Sequence, residues 1–246
     1  MPDSRLELHH RTLPDRGPAT RLLVLVHGYG ESPDSLTDRI ELLDPGGRFH
    51  VVVPDAPFEH RGARIWHRAL STSPELAAEQ YVASMHALDR LLSTICAATG
   101  MCSDTAVVGG FSQGGGLAFG LLAGADVTNR PAAAFGVCSF APSIRNFRVD
   151  PAAAHGRPCL AVTARQDHFA APELSRVSAA ALAAVGVDMT YEEIDSAHEM
   201  TDEAATIVGR WLSTPTEDRR PGRSDELLRD ADVSRSFYAG LWEPVA

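Results

Sequence analysis

The chain has 246 residues, with 22 basic and 32 acidic side chains and a formal net charge of −10 at pH 7. All 22 basic residues are arginine, which excludes a Schiff-base lysine, a Ser–Lys dyad and the lysine of a Walker-type phosphate loop. The negative charge also argues against nucleic acid and anionic membrane surfaces as partners, because both are polyanions.

Strand-like and helix-like segments alternate over residues 1–212, which predicts one α/β domain with a mainly parallel sheet flanked by helices. The predicted strands are the apolar runs at 22–26, 51–53, 105–108, 132–140, 159–163 and 189–194. The predicted helices run from Pro74 to about Thr99, from the segment after Ser112 through Leu122, from about Pro172 to Val185, and up to about Trp211. Ser73 and Gly100 suit the two ends of the first helix.

Residues 213–246 differ from this domain and begin with a linker-like composition. A helix is predicted from Asp225 to about Tyr238. Val233, Phe237 and Leu241 recur every four residues and form an apolar stripe. We expect this stripe to dock on the body of the protein or on a second copy, which leaves a homodimer open. A flap over the active site is the alternative.

The four cysteines show no metal-binding spacing. No apolar run approaches the roughly 18–20 residues of a membrane span, and the first residues lack the basic-then-apolar layout of a secretory signal. We therefore expect reduced thiols, no membrane span and a cytoplasmic location. A disulfide between Cys96 and Cys102 is the alternative.

Residues 110–114, Gly-Phe-Ser-Gln-Gly, form the one G-x-S-x-G sequence in the chain, between a predicted strand and a predicted helix. Such a turn lifts a serine clear of the sheet, and its glycines allow neighbouring backbone to approach closely. It also directs the backbone N–H of Gln113, at a helix N-terminus, towards an oxygen that becomes negative during attack on a carbonyl. The motif predicts Ser112 as the nucleophile of an acyl-transfer reaction.

A catalytic serine needs a base, and in hydrolases with this turn the order along the chain is Ser, then Asp or Glu, then His. Three histidines follow Ser112. His155 precedes every plausible strand-end acid, and His168 adjoins Asp167 on the loop that would supply the acid. His198, after the last predicted strand, is therefore the predicted base.

The base needs an acid that holds it in the correct tautomer. Asp167 lies just past the strand at 159–163 and is the preferred candidate. Asp150, before that strand, and Asp195, three residues from His198, are the alternatives.

A second oxyanion donor should come from an early strand–helix loop. His27-Gly28-Tyr29-Gly30 follows the first predicted strand, so the backbone N–H of Tyr29 is the candidate donor. His27 itself is expected to be a hydrogen-bonded structural residue.

These blocks resemble the phospholipase/carboxylesterase family of α/β-hydrolases, which includes acyl-protein thioesterases. The resemblance spans about residues 20–212 and also includes Pro54-Asp55-Ala56-Pro57. It implies an α/β-hydrolase fold without a large cap domain, no metal or cofactor, and hydrolysis of carboxylic esters or thioesters. It assigns nucleophile, acid and base to Ser112, Asp167 and His198, with backbone oxyanion donors at Tyr29 and Gln113.

Three departures from the family pattern put the substrate preference in doubt. Gly30-Glu31 stands where many members have Gly-Asp, Tyr29 is bulkier than the residue often found at its position, and Ala197 precedes His198 where glycine is usual. The segment from Phe58 to Leu70 is a candidate pocket wall, read as a loop. In it Trp66 could line an acyl groove, and Arg61 or Arg64 could meet an anionic leaving group. Packing for the tryptophan and solvation for the arginines are the alternatives.

The leading hypothesis is a serine esterase, similar to carboxylesterases and lysophospholipases, that acts on a small-molecule ester or thioester through an acyl-enzyme. An acyl-thioesterase, or an acyltransferase in a biosynthetic pathway, is the first alternative. A hydrolase fold that binds without catalysis is the second.

Overall fold

The computed structural model describes residues 6–214, Tyr238 and residues 241–245. Their strands are β1 (His10–Thr12), β2 (Arg21–Val26), β3 (Phe49–Pro54), β4 (Phe58–His60), β5 (Ala63–Ile65), β6 (Val107–Phe111), β7 (Ala133–Val137), β8 (Phe147–Val149), β9 (Pro158–Ala164), β10 (Asp188–Ile194) and β11 (Trp242–Pro244). Their α-helices are α1 (Asp34–Thr37), α2 (Ile40–Leu43), α3 (Pro74–Thr99), α4 (Gln113–Ala123), α5 (Pro151–Ala154), α6 (Pro172–Ala184) and α7 (Asp202–Ser213).

Seven of the described strands form one sheet in the order β1-β3-β2-β6-β7-β9-β10. Neighbouring strands are parallel except at one edge, where β1 pairs antiparallel with β3. The prediction of a mainly parallel sheet flanked by helices is confirmed. Because parallel strands end at one edge of a sheet, the turns after β2, β6, β9 and β10 lie on the same side of the molecule.

The strand β2 shows how the sheet is buried on both faces. Leu22, Val24 and Val26 belong to one apolar cluster, which includes side chains of α3, α4 and α6. Leu23 and Leu25 belong to the other cluster, which includes side chains of α7. Alternate residues of a strand point to opposite faces, so a continuous apolar run is the pattern expected for a strand covered on both sides.

Helix α3 has the bounds that the sequence predicts, Pro74 and Thr99. It ends at Gly100, whose φ of 72° is left-handed and whose N–H bonds to the carbonyl of Cys96. Ser73 precedes the helix but makes no side-chain capping bond, contrary to expectation. Neither α3 nor any other helix within the described ranges is long and apolar enough to cross a membrane.

The predicted C-terminal helix lies outside the described residues except at Tyr238, and so do Val233 and Phe237. Tyr238 is buried, and its hydroxyl donates to the carbonyl of Ala141 at 2.9 Å. Trp242 begins β11, which pairs in parallel with β8. The described C-terminal residues therefore pack against the body of the protein, beside the segment that follows β7.

Candidate active site

Ser112 occupies the turn between β6 and α4 with φ 52° and ψ −118°. A positive φ at a non-glycine residue costs about 1–3 kcal/mol and persists only where the surroundings impose it. The N–H of Ser112 donates to the carbonyl of Val137 at 2.9 Å. A Cβ atom at Gly110 or at Gly114 would collide with the carbonyl oxygen of Val26. Both glycines are therefore required for this turn to pack on β2.

Ser112, His198 and Asp167 come together at the carboxyl ends of their strands. His198 Nε2 lies 3.0 Å from Ser112 Oγ, and His198 Nδ1 lies 2.7 Å from Asp167 Oδ2. With its proton on Nδ1, His198 donates to the carboxylate and leaves Nε2 free to accept the serine proton. The arrangement can therefore activate the Ser112 hydroxyl for attack on an electrophilic carbon.

The carboxylate of Asp167 is held by three hydrogen bonds. Its side chain has no exposed surface. Oδ2 faces His198, while Oδ1 accepts from the N–H groups of Phe169 at 2.8 Å and Ala170 at 2.7 Å. Because both oxygens have fixed partners, the carboxylate can hold the imidazole in one orientation.

The two alternative acids lie elsewhere. Asp150 caps α5 by accepting from the N–H of Ala153 at 2.9 Å. Asp195 is exposed and accepts from Gln166 Nε2 at 2.8 Å. Neither contacts the imidazole of His198.

Tyr29 and Gln113 both line the cleft that contains Ser112. The N–H of Gly28 is bonded to Glu31 Oε2 and the N–H of Gly30 to the carbonyl of Arg64, each at 2.8 Å. Within the described residues, the N–H groups of Tyr29 and Gln113 have no hydrogen-bond partner. Two free backbone donors beside a nucleophile are what an oxyanion hole requires.

The Gln113 side chain joins the serine turn to the segment after β5. Its Oε1 accepts from the N–H of Trp66 at 3.1 Å, and its Nε2 donates to the carbonyl of His67 at 2.8 Å. The side chain of Gln113 therefore fixes one wall of the cleft relative to Ser112. The sequence motif predicts a role only for the backbone N–H of this residue.

Trp66 and Arg64 do not line the cleft, contrary to the expectation for them. Trp66 is fully buried, and its indole N–H donates to the carbonyl of His27 at 2.9 Å. Arg64 lies on β5, in a hairpin with β4 that occupies a segment expected to be a loop, and its side chain is exposed. Packing for the tryptophan and solvation for the arginine are what the structure supports.

The cleft has a volume of about 530 Å³. Its apolar wall is contributed by distant parts of the chain and includes Leu70, Tyr81, Phe140, Pro142, Ile144 and Leu174. No Arg, Asp or Glu is among the described residues that line it. A neutral apolar group therefore fits this cleft better than a charged one. No local motif in the sequence marks these residues.

Cys138 also lines the cleft and could, with Asp167 and His198, offer three ligand atoms to a metal ion. Burial, together with the negative charge of Asp167, raises the pKa of the Cys138 thiol to about 12. A metal would have to displace that proton and break the Asp167–His198 hydrogen bond, since thiol ligands bind as thiolates. The cluster is therefore better suited to hydrogen bonding than to metal binding.

The fold is shared with solved esterase and thioesterase structures. A carboxylesterase from Bacillus cereus superposes with a TM-score of 0.72 at 17% identity, over 85% of this chain and 95% of that one. A carboxylesterase from Mesorhizobium loti superposes with a TM-score of 0.69 at 18% identity, over 86% of this chain and 97% of that one. Acyl-protein thioesterase 2 from Zea mays superposes with a TM-score of 0.67 at 20% identity, over 83% of this chain and 97% of that one. At these identities the likeness is one of fold.

No curated protein matches the sequence. The sequence profile of the phospholipase/carboxylesterase family, in contrast, matches residues 9–214. That range includes both glycine-rich turns and all three of Ser112, Asp167 and His198. The chain therefore belongs to the phospholipase/carboxylesterase family of hydrolases.

Proposed function

We propose that the protein is a serine esterase that cleaves carboxylic esters through a covalent acyl-enzyme. One observation carries the proposal. Ser112 Oγ, His198 and Asp167 form a continuous hydrogen-bonded series, with contacts of 3.0 and 2.7 Å. The apolar cleft beside Ser112 supplies room for an acyl group.

In the first half of the reaction, Ser112 Oγ attacks the ester carbonyl carbon while His198 Nε2 takes the hydroxyl proton. The carbonyl oxygen becomes an oxyanion and accepts hydrogen bonds from the N–H groups of Tyr29 and Gln113. One such donor contributes about 2.7–4 kcal/mol of transition-state stabilisation. The C–O bond then breaks, and His198 gives its proton to the leaving alcohol.

In the second half, water attacks the acyl-enzyme and His198 Nε2 takes a proton from it. Collapse of the second tetrahedral intermediate returns the proton to Ser112 Oγ and releases the carboxylic acid. Asp167 remains ionised throughout and stabilises the imidazolium that forms in each half.

The test replaces the nucleophile. Ser112→Ala should lower kcat for p-nitrophenyl butyrate by at least roughly 10³-fold without unfolding the protein. Ser93→Ala is the matched control, because Ser93 is exposed on α3 and away from the cleft. A fluorophosphonate probe should label the wild type and the control but not the Ser112 variant. Undiminished turnover in Ser112→Ala would disprove the mechanism.

A thioester is the second candidate substrate, because the same attack and proton transfer cleave a C–S bond. The neutral cleft favours neither an oxygen nor a sulfur leaving atom, and the family profile does not separate esterases from thioesterases. Comparing p-nitrophenyl butyrate with the S-phenyl thioester of butyric acid distinguishes them. For each substrate, kcat/KM is divided by the rate constant of uncatalysed hydrolysis. In a thioesterase this ratio is larger for the thioester than for the ester.

A further inference from the structure

Three large hydrophobic side chains are exposed among the described residues: Tyr29 at 44%, Leu76 at 41% and Phe169 at 82%. Two of them, Tyr29 and Phe169, line the cleft together with Ser112. Single exposed apolar residues are common on protein surfaces and need no explanation. Here, however, the exposed aromatic surface is concentrated where a substrate must enter.

Phe169 has a fixed backbone position despite its exposed ring. Its N–H donates to Asp167 Oδ1 at 2.8 Å, which ties it to the carboxylate that orients His198. Its ring centroid lies 5.2 Å from that of His198. Among the residues that the structure describes, Phe111 is the other aromatic neighbour of the imidazole, with centroids 4.8 Å apart, but it is buried. Phe169 therefore offers free aromatic surface beside the base.

The chemistry of the leaving group determines what meets that surface. His198 Nε2 must come within hydrogen-bond reach of the leaving oxygen or sulfur to protonate it. The rest of the alcohol or thiol then continues from that atom, next to the imidazole ring. The acyl group extends from the other side of the carbonyl carbon, and the cleft also offers the aliphatic side chains of Leu70, Ile144 and Leu174.

We infer that the exposed ring of Phe169 binds the alcohol or thiol half of the substrate, and that this half is apolar and uncharged. The inference rests on the proposed serine esterase function and adds a substrate class to it. The enzyme acts on esters of neutral, hydrophobic alcohols, and Phe169 determines that specificity.

The charges around the cleft support a neutral leaving group. His67 lies in the cleft wall, and its burial lowers the pKa of the imidazole, which is therefore uncharged at pH 7. Arg145 and Arg148 line a separate cavity of about 360 Å³ instead. A phosphate or carboxylate on the alcohol would lose hydration in the cleft without gaining a cationic partner.

The experiment compares butyrate esters of methanol, benzyl alcohol and choline. The informative parameter is kcat/KM, because it covers the steps up to release of the alcohol, and the later hydrolysis of butyryl-Ser112 is common to all three. The wild type should prefer the benzyl ester. Phe169→Ala should lower the benzyl-to-methyl ratio of kcat/KM about three- to tenfold, as expected for loss of one aromatic contact.

Two further variants separate binding from structure. Phe169→Leu should keep part of the benzyl preference, because leucine retains apolar surface. Leu76→Ala should leave the ratio unchanged, since Leu76 is exposed on α3 and does not line the cleft. The rate of butyryl-enzyme hydrolysis, measured by stopped flow, should be similar in Phe169→Ala and the wild type.

Equal losses for the methyl and benzyl esters, with slower butyryl-enzyme hydrolysis, would overturn the inference, because Phe169 would then act only by holding His198. A preference for the choline ester would overturn the inference that the alcohol half is uncharged, since aromatic rings also bind quaternary ammonium groups. In both cases Ser112 would still react with a fluorophosphonate. Failure of the proposed function itself would instead appear as no labelling of Ser112 and no turnover of any ester.

Discussion

The carboxylate of Glu31 accepts a hydrogen bond from the backbone N–H of Gly28 at 2.8 Å. The hydroxyl of Ser35 donates to the same oxygen at 3.0 Å. These bonds close the turn after β2, which carries the N–H of Tyr29. The glutamate that departs from the Gly-Asp pattern of the family thus performs a specific task, because it holds the proposed oxyanion donor in position.

Glu31→Ala should therefore lower kcat for p-nitrophenyl butyrate by roughly tenfold, less than the loss of a whole oxyanion donor. KM should change less, because the contact supports the transition state more than the bound ester. Glu31→Gln is the matched variant, since its amide oxygen can accept from Gly28. Equal kcat values in the alanine variant and the wild type would contradict this role.

Asp167→Asn tests the orientation of the base. The asparagine oxygen can keep the bonds to the N–H groups of Phe169 and Ala170, while its NH₂ group then faces His198 Nδ1. That contact favours the tautomer with the proton on Nε2, which cannot accept the serine proton. We expect kcat/KM to fall by roughly 10³–10⁴-fold, as in other Ser-His-Asp sites. The melting temperature should change little, and a large fall in it would point to a structural cause.

Ile144→Ala tests how far the acyl group can extend. Ile144 lines both the 530 Å³ cleft and the neighbouring 360 Å³ cavity. Removing most of its side chain should connect them and shift the chain-length optimum for p-nitrophenyl esters to longer acyl groups. Truncation of a buried isoleucine costs roughly 2–4 kcal/mol of stability, so unfolding should be measured in parallel. Ile144→Val should keep the wild-type profile, and an unchanged profile in the alanine variant would rule out Ile144 as the barrier.

His27 should make the stability of the protein depend on pH. Its Nδ1 lies 2.8 Å from the carbonyl of Gly28, and its Nε2 accepts from the N–H of Ala56 at 3.1 Å. Both nitrogens are therefore used by the neutral ring, and burial lowers the pKa of His27. In the unfolded chain the pKa is about 6.5. Below that pH the unfolded state binds a proton that the folded state excludes, so stability falls as the pH decreases.

Urea unfolding of the wild type and His27→Gln between pH 7.5 and 5 measures this effect. The variant should be less stable at pH 7.5, because glutamine cannot reproduce both hydrogen bonds. Its stability should decline less steeply as the pH falls, since the titrating group is gone. Parallel curves for the two proteins would show that His27 does not contribute to the pH dependence.

The main elements could be predicted because their signals are local. Helix α3 begins with a proline in its first turn and ends at a left-handed glycine after its last turn. The central strands are marked by apolar runs. The short strands β1, β4, β5, β8 and β11 could not be found in this way. Each has three residues, and its strand character comes from a partner that is distant or defined by a turn.

The residues of the candidate site also fall into a group that local sequence signals predict and a group that they do not. Ser112, Asp167 and His198 could be selected from the sequence because each follows a strand of one parallel sheet. The cleft wall could not, since Tyr81 and Leu174 belong to different helices and meet only in the folded chain. The packing role of Trp66 could not be chosen over a pocket role from the sequence, because its indole partner, the carbonyl of His27, lies at the end of another strand.

The hydrogen bonds that Tyr238 and Trp242 make to the segment after β7 affect the order in which the site forms during translation. Trp242 Nε1 bonds to the carbonyl of Pro142 across 100 residues of chain, and Tyr238 bonds to Ala141 across 97. Contacts of such long range form only after all the intervening chain exists. Ser112 and the sheet edge around it are therefore translated well before the residues that support the segment carrying Ile144. As the protein is made, Ser112, Asp167 and His198 are all synthesised before the two residues that hold the segment carrying Ile144 in place.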